Sequence, residues 1–227
     1  MATKSRGMTR YIIKKFTSPL FYARGKAFKS VSKRLGFVYF GMVNQHEDDH
    51  DVIRGFSAST SHKDSHYSVG AFSDYDVQLV DRYDALPTAN GKIIEHNWSI
   101  VQLTLKSSQA LPHVFLQPLQ AHTDSYSRFF AIFNQLQQVS SLFATSRPAD
   151  FTQRYAVFAS TAHIQVIDDL LSQKVVQLIS TQFWPLGIEI SHGKLLVYTA
   201  ENRPSKAALE SMISSAISLA EIIDEQQ

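Results

Sequence analysis

Four of the nine histidines fall in one short stretch, residues 45–66, which reads QHEDDHDVIRGFSASTSHKDSH. His46, His50, His62 and His66 are interleaved there with Glu47, Asp48, Asp49, Asp51 and Asp64. His46-Glu47-Asp48-Asp49-His50 matches the H-E-x-x-H pattern of zinc hydrolases, in which two imidazoles one helical turn apart hold the metal and the glutamate activates water. That chemistry requires the motif to sit inside a long amphipathic helix. Here one strand-like run ends at Val43 and another starts at Val52, and the motif's own aspartates would crowd negative charge onto a helix face. A solvated loop between strands suits these residues better.

A second set, His62, Asp64 and His66, is spaced i, i+2, i+4. On a regular strand the three share one face. Joined by His46 and His50 at the same sheet end, they would form a His/carboxylate site suited to Zn²⁺ or Mn²⁺, the centre of a metal-dependent hydrolase. The competing reading is a polar turn through Ser61, Lys63, Asp64 and Ser65, with no cofactor. Other chemistry lacks its motif. Ser99, Ser140 and Ser172 are outside any G-x-S-x-G elbow, and neither G-x-G-x-x-G nor G-x-x-x-x-G-K-[ST] occurs to cradle a phosphate. Asp168-Asp169 reads as a helix-surface pair, His113 and Trp98 as core or edge residues. With no cysteine in 227 residues, disulfides, thiolate metal sites and cysteine nucleophiles are excluded.

Charge supplies a second handle. Residues 1–36 carry ten bases and no acid, whereas the other 191 residues carry 12 bases against 20 acids, a net of −8. Arg10, Lys14, Lys15, Arg24, Lys26, Lys29, Lys33 and Arg34 alternate in that arm with Tyr11, Phe16, Phe21, Phe28 and Val31, and Thr17-Ser18-Pro19 divides it into two helix-compatible pieces. A basic amphipathic helix suits an anionic membrane surface or a protein partner, and also nucleic-acid backbone. It is equally able to pack its apolar side on the acidic body, and its composition is that of an organelle presequence. No apolar run approaches the roughly 18 residues that cross a bilayer.

The elements that would position these residues are mostly strands. Residues 36–43, 52–60, 66–72 and 75–83 are rich in aromatic and branched side chains with partial alternation, as in an antiparallel meander. Asn90-Gly91 signals a hairpin into a strand over 98–105, and residues 113–117 add a short one. Helical spacing marks residues 124–143, then 161–181 with a restart at Ser172. Strands 154–158, 186–190 and 194–198 follow the same pattern, the last two joined by His192-Gly193. Pro204-Ser205 opens a closing amphipathic helix. Without βαβ alternation, the class is α+β, a mainly antiparallel sheet with helices covering one face. Residues 1–35 form the basic arm and 36–227 a single domain.

The combination Phe40-Gly41-x-Val43, Arg54-Gly55, residues 62–70 followed by Tyr75-Asp76, Trp98, Leu111-Pro112-His113-Val114-Phe115-Leu116, Arg154-Tyr155 and residues 195–198 resembles a family of hypothetical proteins of unknown function from candidate-phylum bacteria of the Saccharibacteria type. The resemblance spans residues 36–200. It implies a soluble α+β domain, makes a presequence less apt and transfers no catalytic residue. The sequence thus points to a cytoplasmic binding or interaction domain without catalysis, its arm open to a peripheral membrane position.

Overall fold

A computed structural model describes residues 19–42, 63–87, 93–106, 111–119, 136–140, 147–200 and 203–226. The chain enters through α1 (Pro19–Leu35). Pro19 suits the first turn, where its missing N–H is no loss. Gly36, at φ +74°, ends the helix, and the Phe37 N–H returns to the Ser32 carbonyl at 2.8 Å, the bond of a left-handed glycine cap. The chain then passes into β1 (Val38–Gly41).

The strands β2 (Lys63–Phe72) and β3 (Tyr75–Pro87) form a hairpin around Ser73-Asp74. Both turn residues have positive φ, the backbone twist that matches paired strands. β4 (Ile93–Thr104) pairs along the length of β3, from Val77↔Leu103 to Pro87↔Ile93. The Asn90-Gly91 turn and the strand expected over 52–60 lie outside the described residues. β5 (Val114–Pro118) is followed by β6 (Gln137–Gln138), a two-residue strand against the next one. The helix expected over 124–143 is therefore corrected at 137–138. Leu136 and Val139 are buried as helical spacing suggested, but strand pairing takes the residues between them.

After α2 (Ala149–Arg154) come β7 (Tyr155–Ala159), a 3₁₀ turn (Thr161–His163), α3 (Ile164–Leu170) and α4 (Gln173–Gln182). The Ser172 hydroxyl caps α4 by accepting from the Val175 N–H, so the restart expected at Ser172 is a true N-cap. β8 (Gly187–Ser191) and β9 (Lys194–Thr199) meet at His192-Gly193, again with φ positive at both. α5 (Lys206–Glu225) closes the chain behind a Ser205 cap that accepts from the Ala208 N–H at 3.0 Å.

The described strands make one nine-stranded sheet in the order β1-β2-β3-β4-β9-β8-β5-β7-β6, antiparallel at every pairing. The fold is α+β, as its strand and helix order implied. Alternation gives the sheet two faces. Val77, Leu79, Val101, Leu103, Leu195 and Val197 share one core with Phe28 and Val31 of α1, Val175 and Ile179 of α4, and Leu209, Ile213 and Ala216 of α5. Val80, Trp98, Ile100, Phe115, Leu196 and Tyr198 form a second cluster on the opposite face. No described helix is long and apolar enough to cross a membrane.

Candidate docking surface

The arm's second half is fastened to the sheet. α1 lies over β2 and β1, burying Phe28 and Val31, and its Arg24 reaches down to Asp81 of β3. Arg24 Nε donates to Asp81 Oδ2 at 2.8 Å and Nη2 to Oδ1 at 2.6 Å, with a further bond to Ser99 Oγ at 3.1 Å. Both members of the pair are buried. Beside it, the Ser32 and Ser68 hydroxyls bond at 2.7 Å, and Ser32 also donates to the Phe28 carbonyl. Composition groups Arg24 with the surface cations, but its guanidinium is inside the fold, drawn there by Asp81.

His66 sits at the centre of this contact because β2 is bulged. Between the pairs Ser65↔Asp81 and Ser68↔Leu79 the strand carries an extra residue, and His66 takes φ +53° there. Its ring turns toward α1, against Phe21 at 4.5 Å between centroids and Phe28 at 5.8 Å. The seat exists because residue 25 has no side chain: a Cβ on Gly25 would come 2.5 Å from His66 Cε1. Nδ1 bonds the Tyr39 hydroxyl of β1 at 2.7 Å, and Nε2 is buried. Burial pushes the imidazole's pKa below its ordinary value; Asp81 and the Phe21 backbone pull it up, and Arg24 pushes it down. Tyr39 is raised, by burial first and then by Asp81.

The same bulge separates the two described members of the expected metal set. Asp64 stays on the far face, where its oxygens accept from Arg82 Nε at 2.7 Å and Nη2 at 2.8 Å. His66 faces the helices, so the shared face expected at i, i+2 is not formed; a regular strand was the premise, and the extra residue breaks the alternation. Lys63, Asp64 and Ser65 open β2, paired with Tyr83, Arg82 and Asp81 of β3, and form no turn. His46, His50 and His62 lie outside the described residues. Among the described residues no three His, Asp or Glu side chains gather as metal ligands. Glu189 is the other buried carboxylate of note: His113 Nε2 lies 2.6 Å from one oxygen and the Tyr198 hydroxyl donates to the other. Such groups brace strands.

With Arg24 turned inward, α1 turns Tyr22, Lys26, Lys29 and Lys33 outward at i, i+4, i+7 and i+11, a single helix face, and each is exposed. The Lys29 ammonium lies 6.0 Å from the centroid of the Tyr39 ring, which ties this row to the β1 edge. Arg34 pairs with Glu210 of α5 at 2.6 Å. Arg10, Lys14 and Lys15 lie outside the described residues. Next to the lysines, β1 exposes Val38 (58%) and Phe40 (51%), and Met42 just beyond the strand is 59% exposed. The charge pattern was legible in sequence. The apolar strip was missed, because alternation alone does not say which face of an edge strand is covered.

No protein-family model matches this chain, and no curated protein matches it. Among solved structures it is similar to the crystal structure of the mycobacterial trehalose monomycolate transport factor A, TtfA, with a TM-score of 0.59 at 13% identity, covering 88% of this chain and 93% of that one. At that identity the likeness shows a shared fold.

Proposed function

We propose that the chain is a binding domain without catalysis that docks on an anionic membrane surface through the outer face of α1. The observation that carries this reading is the exposed row Lys26, Lys29 and Lys33 on a helix whose other side is anchored by Phe28, Val31 and the Arg24 pair. A helix so anchored cannot lay its apolar side in a bilayer, so the helix's own contact is electrostatic, from charges held in fixed positions. Each lysine near an anionic surface contributes about 1 kcal/mol, so the row supplies about 3 kcal/mol, within a screening length of about 8 Å at physiological salt. Arg10, Lys14 and Lys15 add charge of the same sign just before α1. This describes reversible, salt-sensitive peripheral docking from the cytoplasm.

The similar solved structure, named as a transport factor for trehalose monomycolate, is compatible with a membrane or protein partner. Co-flotation of the full chain with vesicles containing phosphatidylglycerol tests the reading. Binding should fall about a hundredfold in K26Q/K29Q/K33Q and nearly vanish on phosphatidylcholine alone. Unchanged binding by the triple variant overturns it, and a steep salt slope on duplex DNA without vesicle binding would move the partner to nucleic acid.

A further inference from the structure

Four of the seven exposed large hydrophobics among the described residues, Tyr22, Val38, Phe40 and Met42, fall on α1 and the β1 rim. Val38 pairs with Val69 on the face turned away from α1, Phe40 stands at the bulge of the strand, and Met42 follows just beyond it, so the three line the rim of β1. Phe40 reaches Tyr67 of β2, with ring centroids 5.8 Å apart. The alternate residues anchor the strand inward. Phe37 packs so closely on Gly70 that a Cβ there would come 2.4 Å from its Cδ1, and Tyr39 bonds His66. Among the described strands β1 therefore lies at the edge of the sheet, with a fixed inner side and an apolar outer side, beside a row of lysines.

We infer that Val38, Phe40 and Met42 form an apolar wedge that enters an anionic lipid surface while Lys26, Lys29 and Lys33 contact its headgroups, so that the sheet docks edge-on along β1. This rests on the docking reading above and adds the depth and orientation of the contact. Two observations select lipid over another strand. The β1 register shifts between Tyr39 and Gly41, with Gly41 at φ +76°, and a bulge on a short edge strand is a device that blocks strand addition. Contact then falls to the side chains, and Phe and Met with flanking lysines are the composition of an interfacial anchor. A second copy of the chain would bring its own lysines against these, with like-charge repulsion.

The absence of cysteine makes the test direct, since a single introduced cysteine takes a fluorophore uniquely. The full chain is labelled at F40C, or at Q177C on the exposed side of α4 as a control. With vesicles of phosphatidylglycerol and phosphatidylcholine, the label at position 40 should brighten and be quenched by brominated acyl chains; the label at 177 should do neither. F40S/M42S should bind about tenfold more weakly while still melting cooperatively, since both side chains are more than half exposed and Phe40 gives up only its contact with Tyr67. An unquenched label at 40 on vesicles the chain still binds, or wild-type affinity in F40S/M42S, overturns the wedge and leaves lysine docking standing. Wild-type affinity in K26Q/K29Q/K33Q overturns the docking reading itself, and failure of the wild type to bind vesicles removes both. A dimer in sedimentation that F40S/M42S abolishes would reassign the strip to self-association and overturn the wedge.

Discussion

Arg24→Met should be among the most damaging single changes at an arm position, although the residue reads as one of ten interchangeable surface bases. The variant keeps most of the aliphatic stem and removes two bonds to Asp81, at 2.8 and 2.6 Å, and one to Ser99 at 3.1 Å. A carboxylate stays behind in a site shut off from solvent. Breaking a buried pair from one side costs about 3 to 5 kcal/mol, against a total stability of roughly 5 to 15 kcal/mol for a domain. At about 2 to 4 °C per kcal/mol for a chain of this size, the melting temperature should drop by roughly 10 °C. Urea titration should show a lower midpoint with the slope retained. Replacing both partners, as in Arg24→Met with Asp81→Leu, should recover at least half the loss, because an apolar pair leaves no unpaired charge. A loss in Arg24→Met below about 1 kcal/mol, the scale of an exposed pair, would refute the anchoring of α1 through Asp81. Lys29→Met is the control: its ammonium is exposed and it should move stability little.

Gly25→Ala should destabilise by about 1 to 3 kcal/mol through overpacking against His66, despite a gain in helix propensity of about 1 kcal/mol; a more stable variant would mean that the imidazole is not seated there. Because the folded pKa of His66 is depressed below 6.5, the unfolded chain binds more protons below that value. Stability should be full above about pH 6.5 and fall as the pH drops through it toward the lower folded pKa. His66→Asn, which tolerates positive φ, should flatten that slope in urea titrations across pH 5 to 7, roughly the window of an ordinary histidine, and an identical slope would assign the effect elsewhere. Deleting residues 1–34 removes Phe28, Val31 and Arg24 from the core and should leave a chain without cooperative unfolding; a cooperative melt would show that the sheet folds without α1. Elemental analysis of full chain purified without a histidine tag should find no stoichiometric Zn²⁺ or Mn²⁺, and one metal per chain would bring back a hydrolase reading built on His46, His50 and His62.

The class of fold was legible because its signals are local. Ser205 and Ser172 cap helices, His192-Gly193 turns a hairpin, and the alternation of residues 75–83 gives a strand, each through contacts a few residues long. The site was legible only in its charges. Lys26, Lys29 and Lys33 had the right spacing, but whether α1 offered its apolar side to a membrane or to the sheet depended on a partner 57 residues away, Asp81. The sequence did hold hints of that contact. A lone carboxylate alternating with Val77 and Leu79 on the inward face of β3 requires a cation from whatever covers it, and Gly25 inside a helix marks a close approach. The bulge at His66 had no such signal: His-Lys-Asp-Ser-His reads as a regular strand or a polar turn, and the inserted residue shows itself only when β2 is laid against β3.

Alternation within β3 explains why two opposite charges can stand side by side there. Asp81 and Arg82 are adjacent, so they project to opposite faces, Asp81 to Arg24 under α1 and Arg82 to Asp64 on the far side. Both pairs are buried, and neither is a strong source of stability over apolar substitutes. Their effect is on register. Sliding β2 by one residue against β3 would move Asp64 to the face of Asp81 and leave Arg82 buried without its carboxylate, a double penalty no neighbouring register escapes. The extra residue at His66 then resets the alternation, placing Tyr67 and Val69 on the face of Val80 and Ser68 under Ser32. From the Asp81 pair outward, a fixed β2–β3 register fixes where Tyr39 meets His66, hence the pitch of β1, and hence where its rim carries Val38 and Phe40. A variant that breaks only the far pair, such as Arg82→Met, should therefore shift the β1 resonances in NMR spectra despite lying two strands away, and unchanged β1 resonances would show that the rim is set by α1 alone.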